Sequence, residues 1–143
     1  MNIKNLINTT MALSLISLNT YAANLNVTID NVNSNEGKIL AQVFKGHANY
    51  KKGKPESSLI LPATKGENSF LFQNLSEGEY AVRLFHDIND NNDLDTNVFG
   101  MPTEGYGFSN QAVGNFGPPK YKDMVVVISK GAESADTKVK MIY

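Results

Sequence analysis

The amino-acid sequence predicts an all-β fold, a two-sheet antiparallel β-sandwich of about seven strands with one long ordered loop. Short segments alternate apolar and polar residues, as in 25–30 and 79–85, which is the period of a half-buried strand. Turn-forming residues separate these segments, as in 33–37 and 74–78. No amphipathic segment of helical length lies between them, which disfavours a parallel α/β architecture.

The expected strands follow one another along the chain. The first, 25–30, is expected to form a hairpin with the second, around 39–43. Residues 124–128 are apolar on both faces, which predicts a central strand. The remaining strands are expected at 58–61, 69–72, 79–85 and 138–143. The core is expected to include Val27, Ile29, Val43, Phe72, Tyr80, Val82, Leu84, Val126 and Ile128.

The first 22 residues have the layout of a secretory signal peptide. Lys4 supplies a positive charge, residues 6–18 are mostly apolar, and Ala22 provides a small residue for cleavage. Several polar residues interrupt the apolar part, so it is too weak for a permanent membrane helix, which wants about 20 apolar residues. We therefore expect an exported protein, periplasmic or extracellular, whose residues 23–143 form a single domain.

The net charge and the lack of cysteine narrow the classes of partner and site that the protein can have. Loss of Lys4 with the signal peptide would leave 12 of the 13 basic residues against 14 acidic ones, a net charge of −2. This balance disfavours a nucleic-acid partner, which favours a basic patch. The chain has no cysteine, which excludes disulfides, thiolate metal sites and a thiol nucleophile.

Residues 87–122 lack a helix or strand period. A connection longer than about 12–15 residues is uncommon in a compact domain and is usually functional or disordered. This one is rich in glycine and proline and in aromatic residues, which argues against a solvated linker. We expect an ordered loop with its own small aromatic core, formed by Phe99, Tyr106, Phe108, Phe116 and Tyr121.

The loop begins with oxygen-bearing side chains at every second position, a spacing typical of calcium-binding loops. Asn92 stands where such loops have glycine, and Val98 stands where they have a bidentate glutamate. Calcium is therefore the one suggested cofactor, with a weak site. The alternative is a chain of Asx turns that caps the preceding strand. The candidate ligands are Asp87, Asn89, Asn91, Asp93 and Asp95.

A second set of candidates would bind a ligand, namely His86, Glu104, Tyr106, Phe108 and Ser109. His86 is expected to face the core at the rim of the domain, where a lone histidine is more often structural than catalytic. Tyr106 and Phe108, together with Phe116, would form a stacking platform for a sugar or apolar ligand, or would pack the loop on itself. Ser109 lies in G-x-S-x-Q rather than in the G-x-S-x-G turn of hydrolases, which favours a hydrogen-bonding role.

These residues also carry a family resemblance. Residues 86–97 read H-D-x-N-x-N-x-x-L-D-T-N, residues 99–110 read F-G-x-P-x-E-G-Y-G-F-S-N, and F-G-P-P follows. The chain from about Leu25 to Tyr143 resembles the bacterial exported family called domain of unknown function 2141. The segment at 75–80 is similar to a strand of transthyretin-like and carboxypeptidase-regulatory sandwiches, which implies an immunoglobulin-like or transthyretin-like fold by analogy. The resemblance implies no activity.

Two function classes remain open. In the first, the protein is an exported non-enzymatic module, calcium-stabilised, that binds a small ligand or a component of the cell envelope. In the second, it is a small hydrolase-like enzyme with a site in the 86–110 loop, using His86, Asp87 and Glu104. The enzyme requires a water-excluding cleft and a poised base. Oxygens that converge from residues 87–95 would favour the module instead.

Overall fold

The structure, a computed structural model, describes residues 22–143 and is mostly β. The expected signal peptide, residues 1–22, therefore lies outside the described residues except for Ala22. The described chain contains eight strands, two short α-helices and one 3₁₀ turn. In chain order these are β1 (Ala23–Val32), β2 (Lys38–Lys45), α1 (Gly46–Lys51), β3 (Ser57–Pro62), β4 (Gly66–Leu75), β5 (Gly78–Asp87), β6 (Gly105–Phe108), the 3₁₀ turn (Ser109–Gln111), α2 (Tyr121–Met124), β7 (Val126–Ile128) and β8 (Ser134–Lys140).

The described strands form two sheets. The three-stranded sheet has the order β4-β1-β8, and the five-stranded sheet has the order β3-β2-β5-β6, with β7 also paired to β5. The expected hairpin between the first two strands is wrong, because β1 and β2 lie in different sheets. A turn that contains Gly37 (φ 67°) carries the chain from one sheet to the other. Alternation fixes which face of a strand is buried, but it does not specify the pairing partner.

The all-antiparallel prediction is also wrong at one pair of strands. β8 runs parallel to β1 over seven residue pairs, from Asn24↔Ser134 to Asp30↔Lys140. All other strand pairs of the two sheets are antiparallel. A parallel pair requires a long crossover connection, which the intervening five-stranded sheet supplies here.

The segment expected as a central strand is shorter and lies at an edge. β7 pairs with β5 only at Gly78–Tyr80, and Val127 is 58% exposed. Met124 belongs to α2, where it is fully buried. The apolar run 124–128 thus serves a helix and an edge strand rather than two buried sheet faces.

The inward-facing residues of both sheets form one buried hydrophobic cluster. It combines alternate residues of β1, such as Val27 and Ile29, with alternate residues of β5, such as Val82 and Leu84. All nine residues expected in the core are buried, which confirms the assignment of strand faces. Burial of large aliphatic side chains contributes about 1.5–3 kcal/mol each, so this cluster is the main source of stability.

The long loop is only partly irregular, because β6 lies within it and pairs with β5. Phe108 joins Ala81 and Met124 in a second small cluster, against which Tyr106 and Tyr121 pack. Tyr106, Phe108 and Tyr121 thus take part in the expected aromatic packing. Two other members of the expected aromatic core do not, since Phe99 is 86% exposed and Phe116 is fully exposed.

Candidate functional site

The outward face of the five-stranded sheet presents a row of apolar side chains that crosses the strands. Leu40 of β2 lies opposite Phe85 of β5, and Phe85 lies opposite Tyr106 of β6. On the other side, Ile60 of β3 lies opposite Leu40. Successive residues of a strand point to opposite faces, so this row is the counterpart of the buried positions Ala41 and Leu84.

A more polar row lies two residues further along each strand, with an arginine at its centre. Arg83 of β5 lies opposite Gln42 of β2 on one side and opposite Phe108 of β6 on the other. The Arg83 Nε group donates a hydrogen bond to Gln42 Oε1 at 3.0 Å. The Arg83 Cζ atom lies 4.7 Å from the centre of the Phe44 ring, a distance that favours a cation–π interaction.

These two rows form the floor of an open groove of about 320 Å³. One wall comes from Leu94 of the acidic loop, and the other walls come from Tyr50 of α1 and from Pro118. A second cavity of about 300 Å³ continues the groove towards Ile60 and shares Leu94 with it. The lining of the first cavity is mainly apolar and aromatic: Leu40, Gln42, Tyr50, Arg83, Leu84, Phe85, Leu94, Tyr106, Phe108 and Pro118.

The positive charge of Arg83 acts on Tyr50, which is one of the wall residues of the groove. Burial raises the pKa of the Tyr50 hydroxyl, and the nearby positive charge of Arg83 opposes that rise by a smaller amount. Within residues 22–143, the ion pairs involve Lys38 with Asp87 and Lys38 with Asp90, and neither includes Arg83. The guanidinium is therefore held in place by an amide and an aromatic ring rather than by an acid.

The acidic loop begins at Asp87, which is buried at the end of β5. The backbone N–H groups of Asn91 and Asn92 donate to the two Asp87 carboxylate oxygens at 3.1 and 2.8 Å. The Lys38 ammonium lies 3.5 Å from Asp87 and 3.3 Å from Asp90. Asp87 thus holds the loop as a turn and is compensated by a lysine.

The other candidate calcium ligands form a hydrogen-bonded network. The Oδ1 atoms of Asn89 and Asn91 accept from the backbone N–H groups two residues further on, which makes two successive Asx turns. Both amide nitrogens donate to the Asp95 carboxylate, at 2.6 and 3.0 Å. Asp93 is exposed. The structure therefore brings four of the five candidate calcium ligands into one hydrogen-bonded turn, namely Asp87, Asn89, Asn91 and Asp95. This is the arrangement that the Asx-turn alternative describes.

Glu104 closes the same loop from its far end. Its Oε1 atom accepts from the Ile88 backbone N–H at 2.8 Å, and its Oε2 atom accepts from the Asp95 backbone N–H at 3.1 Å. Glu104 is buried, and both of its carboxylate oxygens are engaged. A carboxylate that accepts two backbone hydrogen bonds fixes the loop geometry and is a charge-assisted contact.

His86 lies on the opposite face of β5 from Asp87, although the two are adjacent in sequence. Its Nε2 atom lies 2.6 Å from the Glu36 carbonyl, which can only accept, so Nε2 carries the proton. Its Nδ1 atom then accepts from the Tyr143 hydroxyl at 2.8 Å. Both ring nitrogens of this buried histidine therefore have protein partners.

Ser109 is also buried and does not line the groove. Its hydroxyl accepts from the Val82 backbone N–H at 2.9 Å and donates to the Met124 carbonyl at 2.6 Å. It thus connects β5 to α2. Of the five expected ligand-binding residues, Tyr106 and Phe108 line the groove, while His86, Glu104 and Ser109 do not.

Comparison with known protein families shows to which family this chain belongs. A sequence model for one family matches residues 27–136, from β1 to β8. Its members are described as uncharacterized proteins conserved in bacteria, under the name DUF2141. The chain belongs to the DUF2141 family. This confirms the resemblance seen in residues 86–97 and 99–110. Comparisons with curated proteins and with solved structures found no match.

In this DUF2141 chain, sequence reasoning missed the residues that give the groove its polarity. Arg83 is the only arginine in the chain, and alternation in β5 places it opposite the core-facing positions. Those two signals were present in the sequence. Gln42 and Leu40 carried no such signal, because their position beside Arg83 and Phe85 depends on the β2–β5 register.

Among residues 22–143, no three His, Cys, Asp or Glu side chains come together as a metal-holding group. Calcium also takes amide and backbone carbonyl oxygens, so calcium binding by the acidic loop stays a prediction. Over the same residues, no helix has the length and apolar character needed to cross a bilayer.

Proposed function

We propose that this protein is an exported, non-enzymatic binding module that takes a small ligand in the groove on the outward face of its five-stranded sheet. The observation that carries the proposal is the groove itself, which combines an apolar and aromatic lining with the single guanidinium of Arg83. Ligand sites are typically concave and mostly apolar, with a few placed polar groups that fix orientation. Two of the three aromatic residues expected from the sequence as a stacking platform, Tyr106 and Phe108, belong to this lining, and the exposed Phe116 does not.

The arrangement of the polar side chains supports binding over catalysis. Four of the polar candidate residues already have hydrogen-bond partners within the protein, mostly backbone groups. These residues are His86, Asp87, Glu104 and Ser109. Among the residues of 22–143 that line the larger cavity, none is His, Asp, Glu, Ser or Lys. A hydrolytic site needs a nucleophile and a base within reach of one point, and the lining of this cavity contains none of these side chains; Ser58 and Asp93, which line the second cavity, are exposed to solvent.

The proposal includes an immunoglobulin-like or transthyretin-like β-sandwich as the finer description of the fold. Its support is that inward residues of the three-stranded and five-stranded sheets share one buried cluster. Two sheets that face each other across a common core leave their outer faces available. The outward face of the five-stranded sheet would then be a binding surface on a rigid support.

Export to the periplasm or the extracellular space is also part of the proposal. It rests on the charged, apolar and small-residue layout of residues 1–22, seen in the sequence. A ligand of such a module would be a small molecule or a component of the cell envelope. Intact-mass measurement of the protein recovered from outside the cytoplasm tests this part, because a mature species that still begins at Met1 would contradict it.

Saturable binding of the neutral fluorescent dye Nile red tests the groove as an apolar site. We expect the Tyr106→Ala variant to bind the dye at least about fivefold more weakly, since a lost aromatic contact is worth about 1 kcal/mol. Phe99→Ser is the matched control, because it removes an exposed aromatic side chain that does not line the groove. Equal loss in both variants, or no saturable binding by the wild type, would contradict the proposed site.

A further inference from the structure

We propose that the ligand of the groove is a small, flat carboxylate whose anionic group binds Arg83 and whose apolar body lies on Leu40, Phe85 and Tyr106. This inference rests on the proposed function, because it names the chemical class that the same groove would take. Three properties of Arg83 carry it: its uniqueness, its fixed geometry and its lack of an acidic partner.

Arg83 is the only arginine in a chain whose other basic residues are all lysine. The lysines lie elsewhere, and none of them lines the larger cavity among residues 22–143. Arginine differs from lysine in presenting a planar fork of donors that matches a carboxylate with two parallel hydrogen bonds. The one planar cation of the protein is therefore the one placed in the floor of the groove.

The guanidinium is fixed before any ligand arrives. Its Nε group is held by Gln42, and the Phe44 ring lies 4.7 Å from its central carbon. These contacts leave the two terminal nitrogens free to donate as a pair, since neither makes a hydrogen bond within the described residues. A preorganised donor pair loses little conformational entropy when it binds an anion.

The charge of Arg83 also lacks an acidic partner in the described part of the chain, because both ion pairs found there belong to Lys38. Asp93 lines the second cavity together with Arg83, but it forms no ion pair with Arg83 and is exposed to solvent. An arginine that is partly buried against aromatic rings attracts an anion more strongly than one in open water, because the local dielectric is lower.

The surroundings of Arg83 select the rest of the ligand. The floor is a sheet surface, with Leu40, Phe85 and Tyr106 in one row beside the arginine. The Tyr106 and Phe108 rings meet edge to face at 6.1 Å, so they form a continuous aromatic side to the groove. A flat apolar body of modest size fits a groove of about 320 Å³.

A carboxylate fits this groove better than a phosphate. One guanidinium whose Nε is already engaged offers one fork and one positive charge, which matches a single carboxylate. A phosphate dianion would call for a second cation, and the larger cavity contains no lysine among its described lining residues. The structure therefore points to a monoanion joined to an apolar body.

The test compares cinnamate with cinnamyl alcohol, which share a flat aromatic body and differ in the anionic group. Calorimetric titration of the wild-type protein is expected to show cinnamate binding about tenfold or more tightly than the alcohol, as charge-assisted hydrogen bonds would give. Arg83→Gln is expected to remove that preference, so that the two compounds bind with similar affinity. Lys138→Gln, an exposed lysine on β8, is the control and should keep the preference.

The outcomes separate this inference from the proposed function. If neither compound binds, the groove is not a ligand site and both proposals are overturned. If both bind equally, the groove stands and the carboxylate inference is overturned, as it also is if Arg83→Gln keeps the preference. Should Arg83→Gln fail to fold, salt provides a second readout on the wild type: added salt is expected to weaken cinnamate binding and not alcohol binding.

Discussion

Arg83 and Gln42 lie directly opposite each other on β5 and β2, and the Arg83 Nε group donates to Gln42 Oε1 over 3.0 Å. This pair sets the plane of the only guanidinium in the chain on the outward face of the five-stranded sheet. Gln42→Ala is expected to leave the fold intact and to weaken cinnamate binding about threefold to tenfold, because the guanidinium would lose one of its two fixed contacts. Isothermal titration measures this change.

A variant of another exposed glutamine provides the control for Gln42→Ala. Gln73 lies on β4, in the three-stranded sheet, and is exposed. Gln73→Ala should leave cinnamate affinity unchanged, since Gln73 lines neither cavity of the groove. A loss of affinity as large in Gln73→Ala as in Gln42→Ala would contradict the role given to the Arg83–Gln42 pair.

Truncation of Leu84 tests the shared core of the two sheets. Leu84 is almost fully buried and belongs to the main hydrophobic cluster. Leu84→Ala is expected to lower the free energy of unfolding by about 2–5 kcal/mol, measured by urea denaturation. Leu71→Ala, at a more exposed position on β4, should cost less than about 1 kcal/mol. Similar costs for the two variants would contradict the assignment of strand faces.

Because the Tyr143 hydroxyl is hydrogen-bonded to His86, removal of that hydroxyl is expected to lower the stability of the protein. Tyr143→Phe leaves the Nδ1 atom of buried His86 without its donor, which is expected to destabilise the protein by about 1–3 kcal/mol. Thermal or urea unfolding measures the loss. Tyr106→Phe is the matched control, because the Tyr106 hydroxyl makes no hydrogen bond within the described residues. Unchanged stability in Tyr143→Phe would show that His86 does not depend on this partner.

Raised tyrosine pKa values predict a loss of stability at high pH. Burial is the largest cause of the raised pKa of Tyr50, Tyr121 and Tyr143. A folded-state pKa above the unfolded value means that the fold favours the neutral phenol. The stabilisation of the fold by these neutral phenols is therefore complete below about pH 10, the pKa of tyrosine in the unfolded chain. It is lost as the pH rises through the pKa values of the folded state. Urea unfolding between neutral and strongly alkaline pH should show this loss, and a Tyr50→Phe/Tyr121→Phe double variant should reduce it.

Calcium binding by the acidic loop predicts a calcium-dependent melting temperature. A ligand that binds only the folded state stabilises it by about 2.7 kcal/mol at a hundredfold excess over its Kd. Millimolar calcium is thus expected to raise the melting temperature relative to excess chelator, and Asp87→Ala and Asp93→Ala should each abolish the rise. Asp123→Ala, an exposed acidic residue in α2, should retain it.

The outcome separates metal binding from the hydrogen-bonded turn. The Asx turns and the Lys38–Asp87 ion pair already hold the loop without a cation. If the wild type melts identically with calcium and with chelator, contacts within the protein hold the loop without a metal. In that case Asp87→Ala should still destabilise the protein, because it removes acceptors for two backbone N–H groups, while Asp93→Ala should be nearly neutral.

The sequence was sufficient to predict which face of each strand is buried, but it was not sufficient to predict which strands pair. The alternation in β1 and β5 correctly predicted that Val27, Ile29, Val82 and Leu84 are buried. Pairing is non-local, and the same alternation is compatible with several partners, which is why the β1–β2 hairpin was wrong and the parallel β1–β8 pair was unforeseen.

The candidate site was predictable at single residues but not as a surface. Tyr106, Phe108 and Phe116 were expected as a platform, because the long loop is rich in aromatic residues. Phe99 and Phe116 carried the same signal and are exposed, since hydrophobicity alone does not say which aromatic finds a partner. The groove depends on three strands, helix α1 and two connections that meet only in the folded chain.

Nuclear magnetic resonance mapping of cinnamate on the wild-type protein tests the central claim most directly, because it locates the ligand. The account predicts saturable chemical-shift changes that centre on Leu40, Arg83, Phe85 and Tyr106 and leave β1, β4 and β8 unchanged. Absence of saturable changes, or changes confined to the exposed apolar turn at 98–101, would contradict the groove as the binding site.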